Sequence, residues 1–206
     1  MKTIQELIKD FEENKEKEIK TFDQLIECYQ SFNDRSMIIS EIDYEIAIAV
    51  DSIIRFWNSV DDEENISIED RKPIKIFIHS PGGLLTSTFT MIDAIKMSKT
   101  PVYTIAVGEV YSGGFFTFLA GHKKLAYPHA SFLYHEGATA NGGDANKFRN
   151  FAKFYEIQLE QLKQIVLNNS SITEEEYEKH IKDDWWLTAE EAVKYGIADE
   201  ILTELL

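Results

Sequence analysis

The chain has 206 residues, enough for one domain of ordinary size with an appendage. Its 21 Lys and Arg against 36 Asp and Glu give a net charge of −15, which argues against nucleic-acid and anionic-lipid partners, since both reward a basic face. The single cysteine, Cys28, can form no intrachain disulfide and fits a reducing, cytoplasmic compartment.

In chain order, residues 1–33 stand apart. Ile4, Leu7, Ile8 and Phe11 share one helical stripe, and Phe22, Leu25, Ile26 and Tyr29 another, with the charged run ENKEKEIK between them. Charges interrupt every short apolar stretch, so the segment does not read as a secretory signal. It reads as a helical extension, either a solvated surface element or a cover over a partner surface. From Ser36 onward strands alternate with helices. Met37–Ile39 is a short strand, and Ile46, Val50, Ile53, Ile54 and Trp57 have helical spacing. The acidic run DDEENISIEDR reads as a solvated loop. IKIFIH reads as a strand buried on both faces, SPGG as a turn, and residues 84–97 as a helix. VYTIAVG is a strand ending at Gly108. A turn with Tyr111-Ser112-Gly113-Gly114 then leads into the apolar FFTFLAG. Residues 125–127 and 131–134 read as short strands, and 145–167 as a long helix. Ser171 to Glu174 and Thr188 to Glu191 have capping-box spacing, with Gly196 as the C′ residue of the last helix. The most apolar window, residues 101–121, carries Glu109 and internal glycines and is no membrane span. The order predicts an α/β fold with a mostly parallel sheet covered by helices.

Chemistry in such folds sits at strand ends. Ser80-Pro81-Gly82-Gly83 follows one strand, and its glycines can present backbone N–H groups to an oxyanion, although a plain tight turn explains them as well. Ser112 follows another strand; taken alone it reads first as an N-cap, and a glycine-flanked turn also suits a nucleophile. His135 closes the strand SFLY, with His79, His122, His129 and His180 as competitors. Asp183 and Asp184 precede two tryptophans, which would partly desolvate them unless one has a partner. Phe148, Phe151, Phe154, Tyr155 and Leu159 fall at helical spacing, open to either internal packing or an interface. One cysteine, no H-x-x-x-H or H-E-x-x-H pair, no P-loop and no G-x-G-x-x-G leave no expected metal, nucleotide or cofactor.

In order and separation, DRSMIIS, IKIFIHSPGG, TIAVGEVYSGGFFTFLAG, SFLYHEG and DDWWLTAEEAVKYGIADEIL resemble the Clp protease proteolytic-subunit family, from Asp34 to about Leu202. The resemblance implies a crotonase-type spiral of β-β-α units over residues 34–206, with the helix at 145–167 as a protruding handle. It implies a serine endopeptidase with nucleophile Ser112, base His135, acid Asp184, and oxyanion donors Gly82 and Gly113. It also implies a homo-oligomer built on heptameric rings, two of them stacked, fed by an AAA+ unfoldase. Four features depart from the family. Residues 1–33 differ from its short N-terminus and read as a propeptide or a gate. Gly113 replaces its usual methionine, Glu136-Gly137 its usual Gln-Pro, and GATANGGDAN matches its handle loop loosely. Two other functions share this pattern: an acyl-CoA enzyme of the crotonase superfamily, against which a serine, histidine and aspartate together speak, and a non-catalytic scaffold subunit.

Overall fold

The computed structural model describes residues 33–137, 139, 143–181 and 183–206. The stripes expected within residues 1–33 lie outside the described residues. Strand β1 (Ser36–Ile39) leads into α1 (Tyr44–Glu63), which Asp43 caps by accepting the Ile46 N–H at 2.8 Å. After a 3₁₀ turn at Ile68–Asp70 come β2 (Ile74–Ser80), α2 (Leu85–Met97) and β3 (Val102–Tyr111). Helix α3 (Gly113–Leu119) follows directly, then β4 (Lys123–Ala126) and β5 (Ser131–Tyr134). The chain ends with α4 (Ala145–Asn169), α5 (Glu174–His180), β6 (Trp185–Thr188), α6 (Ala189–Lys194) and β7 (Glu200–Ile201).

One seven-stranded sheet orders these strands as β1-β2-β3-β4-β7, all parallel. Strand β3 serves two neighbours. Its first half, Tyr103–Ala106, pairs with β4, and its last residues, Glu109–Tyr111, pair with β5. Only β6 runs antiparallel, against β5. The register of β2 on β3 slips between Ile78↔Ala106 and Ser80↔Val110, so β3 carries two more residues than β2 over that step. This irregularity bends β3 away from β4 toward β5 and sends its end into α3.

The core lies between this sheet and its helices. Ile39, Ile76, Ile78, Ile105, Phe115, Phe118 and Phe132 are fully buried, each such side chain contributing about 1.5–3 kcal/mol by leaving water. Arg35 to Leu206 form one compact unit, and no helix among the described residues is long and apolar enough to cross a membrane.

Several expectations change. The acidic run is not simply solvated. Asp61 and Asp62 close the last turn of α1, and Asp61 is fully buried, gripped at both oxygens by Arg35 (2.6 and 2.8 Å) and by the Thr100 hydroxyl (2.7 Å). Asp62 pairs with Arg71 and Lys99. Nor is IKIFIH buried on both faces: Ile74, Ile76 and Ile78 point inward while Lys75 and Phe77 are half-buried and His79 is exposed. Strand β3 continues past Gly108 to Tyr111 because β5 supplies it with a second partner. Helix α5 is capped by Thr173, which accepts the Glu176 N–H at 3.2 Å, and not by Ser171. The capping box of Thr188 and Glu191 forms as expected, with Gly196 in the left-handed region after α6.

Candidate active site

Ser112 sits between β3 and α3 with φ 52° and ψ −120°, a left-handed value that costs a non-glycine residue about 1–3 kcal/mol. Two bonds impose it. The Ser112 N–H donates to Leu133 O on β5 at 2.9 Å, holding it to the sheet, while its carbonyl already accepts from Phe116 N–H at 3.3 Å in α3. The chain must therefore turn from strand to helix within one residue. Ser112 occupies the N-cap position expected of it, yet its hydroxyl makes no capping bond.

The β5–β6 pairing places the next two residues. Tyr134 lies opposite Trp185 in the antiparallel register, so the residue that follows β5, His135, comes opposite the residue preceding β6, Asp184. His135 Nδ1 stands 3.8 Å from Asp184 Oδ1, an ion-pair distance longer than a hydrogen bond. The histidine side chain is 33% exposed and the carboxylate 59%, so Asp184, which has His135 as its partner, stays solvated beside the tryptophans. Tyr134 anchors the strand end: it is buried, its hydroxyl bonds that of Tyr177 on α5 at 2.5 Å, and burial pushes its pKa well above the ordinary tyrosine range. The other described histidines are placed elsewhere. His79 faces Glu109 at 3.9 Å, His122 accepts the Val102 N–H at 3.0 Å, and His180 stacks on Trp185 with ring centres 4.0 Å apart.

Ser112, Gly113 and His135 line one cavity of about 390 Å³. Gly83 lines it too, but Gly82 does not. The Gly82 N–H donates to the buried Ser80 hydroxyl at 3.1 Å, and a Cβ on Gly82 would lie 2.8 Å from Ser112 Cβ and 2.9 Å from Gly113 N, so this residue adjoins the serine turn. The SPGG turn is fastened to Ile42, whose N–H donates to Gly82 O at 3.0 Å and whose carbonyl accepts from Leu84 N–H at 2.8 Å. The approach is close enough that a Cβ on Gly83, at φ +157°, would lie 2.0 Å from Ile42 O. A Cβ built on Gly113 would lie 3.5 Å from Gly83 N, so these two backbone segments are neighbours at the cavity wall. The Gly113 N–H heads α3, where no carbonyl of the helix is available to it.

Helix α4 closes the other side with Phe151, Tyr155, Gln158 and Leu162. Phe151 and Tyr155 stack with ring centres 6.1 Å apart, and the Tyr155 hydroxyl donates to Glu136 O at 3.0 Å. These two residues, left open between packing and interface in the sequence, are cavity walls. Among the described residues, no group of three His, Cys, Asp or Glu side chains could hold a metal ion.

The family model for Clp protease matches residues 20–205, nearly the whole described fold. The chain belongs to the Clp protease family. It is 31% identical over 193 residues, 92% of each chain, to the ATP-dependent Clp protease proteolytic subunit 2 of Treponema denticola. The mixed α/β fold, with one sheet and six helices among the described residues, is the architecture expected of a Clp protease.

Proposed function

We propose that this member of the Clp protease family is a serine endopeptidase. Ser112 Oγ attacks the peptide carbonyl, His135 takes the hydroxyl proton and returns it to the leaving amine, and Asp184 stabilises the imidazolium that forms between these steps. The N–H groups of Gly113 and Gly82 receive the oxyanion. A Cβ on Gly82 would lie 2.9 Å from Gly113 N, which supports the pairing of these two donors. The observation that carries the reading is the convergence of a serine at a left-handed strand-to-helix turn and a histidine facing a carboxylate on one cavity. A fluorophosphonate probe should label Ser112, as located by peptide mass mapping, and Ser112→Ala should abolish both labelling and cleavage of a fluorogenic peptide. Undiminished cleavage by Ser112→Ala would overturn the assignment.

The same reading includes assembly. A subunit at −15 repels its copies unless apolar contact opposes the repulsion, and Phe148, Phe154 and Ile157 are exposed large apolar side chains on α4. They supply a face for a homo-oligomer of rings enclosing a proteolytic chamber in the cytoplasm. The chain has no P-loop, so the ATP dependence named for its relative would come from an AAA+ unfoldase partner. Phe154→Glu should lower native mass and peptidase activity together.

A further inference from the structure

Two cavities flank His135, and Glu136 is in the wall of both. The first is the 390 Å³ cavity beside Ser112; the second is bounded by Glu136, Gly137, Ile181, Asp183 and Asp184. The first is large enough for one long substrate side chain. Leu85, Phe116, Phe151 and Leu162 line it as an apolar wall suited to a methylene stem. Among the described residues no lysine or arginine lines either cavity, and no cation forms an ion pair with Glu136. The bond from the Tyr155 hydroxyl to the Glu136 carbonyl ties the backbone of this residue to α4. Its negative charge is felt across the site. After burial, the Glu136 carboxylate is what raises the Tyr155 hydroxyl, and it adds to the upward shifts of Tyr134 and Tyr177. A half-buried acidic residue with no cationic partner among the described residues, beside an apolar cavity, favours a ligand with an apolar stem and a cationic end, and penalises an anionic one.

We infer that Glu136 makes this cavity a cation-selecting subsite, which takes a lysine or arginine side chain of the substrate from the residue whose carbonyl Ser112 attacks. The inference rests on the serine-peptidase reading and adds a substrate class to it. It predicts an order of kcat/KM among three otherwise identical fluorogenic peptides with lysine, norleucine or glutamate before the scissile bond: lysine first, glutamate last. The lysine-to-glutamate ratio should fall at least tenfold in Glu136→Gln and invert in Glu136→Lys. In the wild type it should also shrink as salt is raised, because the Glu136 carboxylate is only partly withdrawn from solvent. Fluorophosphonate labelling of Ser112 in each variant shows that the site remains folded, and the inverted preference is an outcome that mere loss of structure does not produce. A ratio that stays constant across wild type, Glu136→Gln and Glu136→Lys, with Ser112 labelled and peptides cleaved, overturns the subsite alone. No labelling and no cleavage by wild type would instead overturn the peptidase reading and the subsite with it.

Discussion

Gly113, where the family usually has methionine, offers a test of how tightly the turn is built. It is buried and opens α3, and its backbone is outside the left-handed region, so alanine is conformationally acceptable there. Space is the obstacle. A Cβ would lie 2.5 Å from Thr88 Oγ1 and 3.3 Å from Ile42 Cδ1. Thr88 is fully buried and its hydroxyl is tied to Leu84 O at 3.0 Å, so it cannot swing away freely. Overpacking of this kind costs about 1–3 kcal/mol, and the better helix propensity of alanine returns about 1 kcal/mol at most. Gly113→Ala should therefore destabilise the wild type by about 1–2 kcal/mol. In a Thr88→Ala background the clashing oxygen is gone, and the same substitution should stabilise by up to about 1 kcal/mol, leaving only the propensity gain. The effect changes sign, with a coupling of about 2 kcal/mol between two residues 25 apart in sequence. Urea unfolding of the four proteins, with m-values checked for constancy, measures the cycle. If Gly113→Ala destabilises both backgrounds equally, within about 0.5 kcal/mol, the packing argument is wrong.

Three further outcomes follow from named contacts. Asp184→Asn should lower kcat/KM by about 10³–10⁴, and Asp183→Asn far less, because the β5–β6 register sets only Asp184 opposite His135; a dead Asp183 variant would refute that register. Asp61→Ala should cost about 3–5 kcal/mol in urea unfolding, since it strands the buried Arg35 guanidinium; a loss under 1 kcal/mol would show that Arg35 finds water instead. Burial pushes the Asp61 carboxyl up, but the bonds from Arg35 and Thr100 and the charges of Arg35 and Arg71 outweigh it and hold the group below its ordinary value of 3.8. A depressed folded pKa gives stability that is present above the unfolded value and lost as pH falls through the folded one. The stability gap between wild type and Asp61→Asn should thus narrow below about pH 4, and a gap independent of pH down to acid unfolding would contradict it.

The alternation of strands and helices was legible because hydrophobic period and capping residues are local signals: the box of Thr188 and Glu191 needs only three residues of spacing, and it forms. What was not legible depended on distant partners. Asp61 resembles every other carboxylate in an acidic run until Arg35, 26 residues earlier, and Thr100, 39 later, converge on it. The exposed side of β2 was hidden because Lys75 and His79 are too few polar residues to mark a face. The choice between Asp183 and Asp184 is a matter of pairing register, in which one residue of slippage reverses the faces.

The geometry also links the cavity to the outer surface. Helix α4 directs Phe151, Tyr155, Gln158 and Leu162 to the cavity, while Phe154 and Ile157 are exposed on its other side. Of its 25 residues, only Leu162 and Val166 are fully buried, both in the C-terminal half. In the N-terminal half Phe151 and Tyr155 stack on each other within the helix, and the Tyr155 hydroxyl ties it to Glu136 O, the residue after His135. Contact that covers Phe154 and Ile157 would fix this half of the helix, and through Tyr155 the strand end that carries His135. The 3.8 Å gap between His135 and the exposed Asp184 leaves room for such tightening, since an imidazolium would draw the carboxylate to hydrogen-bond distance once the histidine is held. A contact over the outer face and order in the cavity would thus be coupled through one helix, and this is why Phe154→Glu, which does not line the cavity, is expected to lower activity as well as mass.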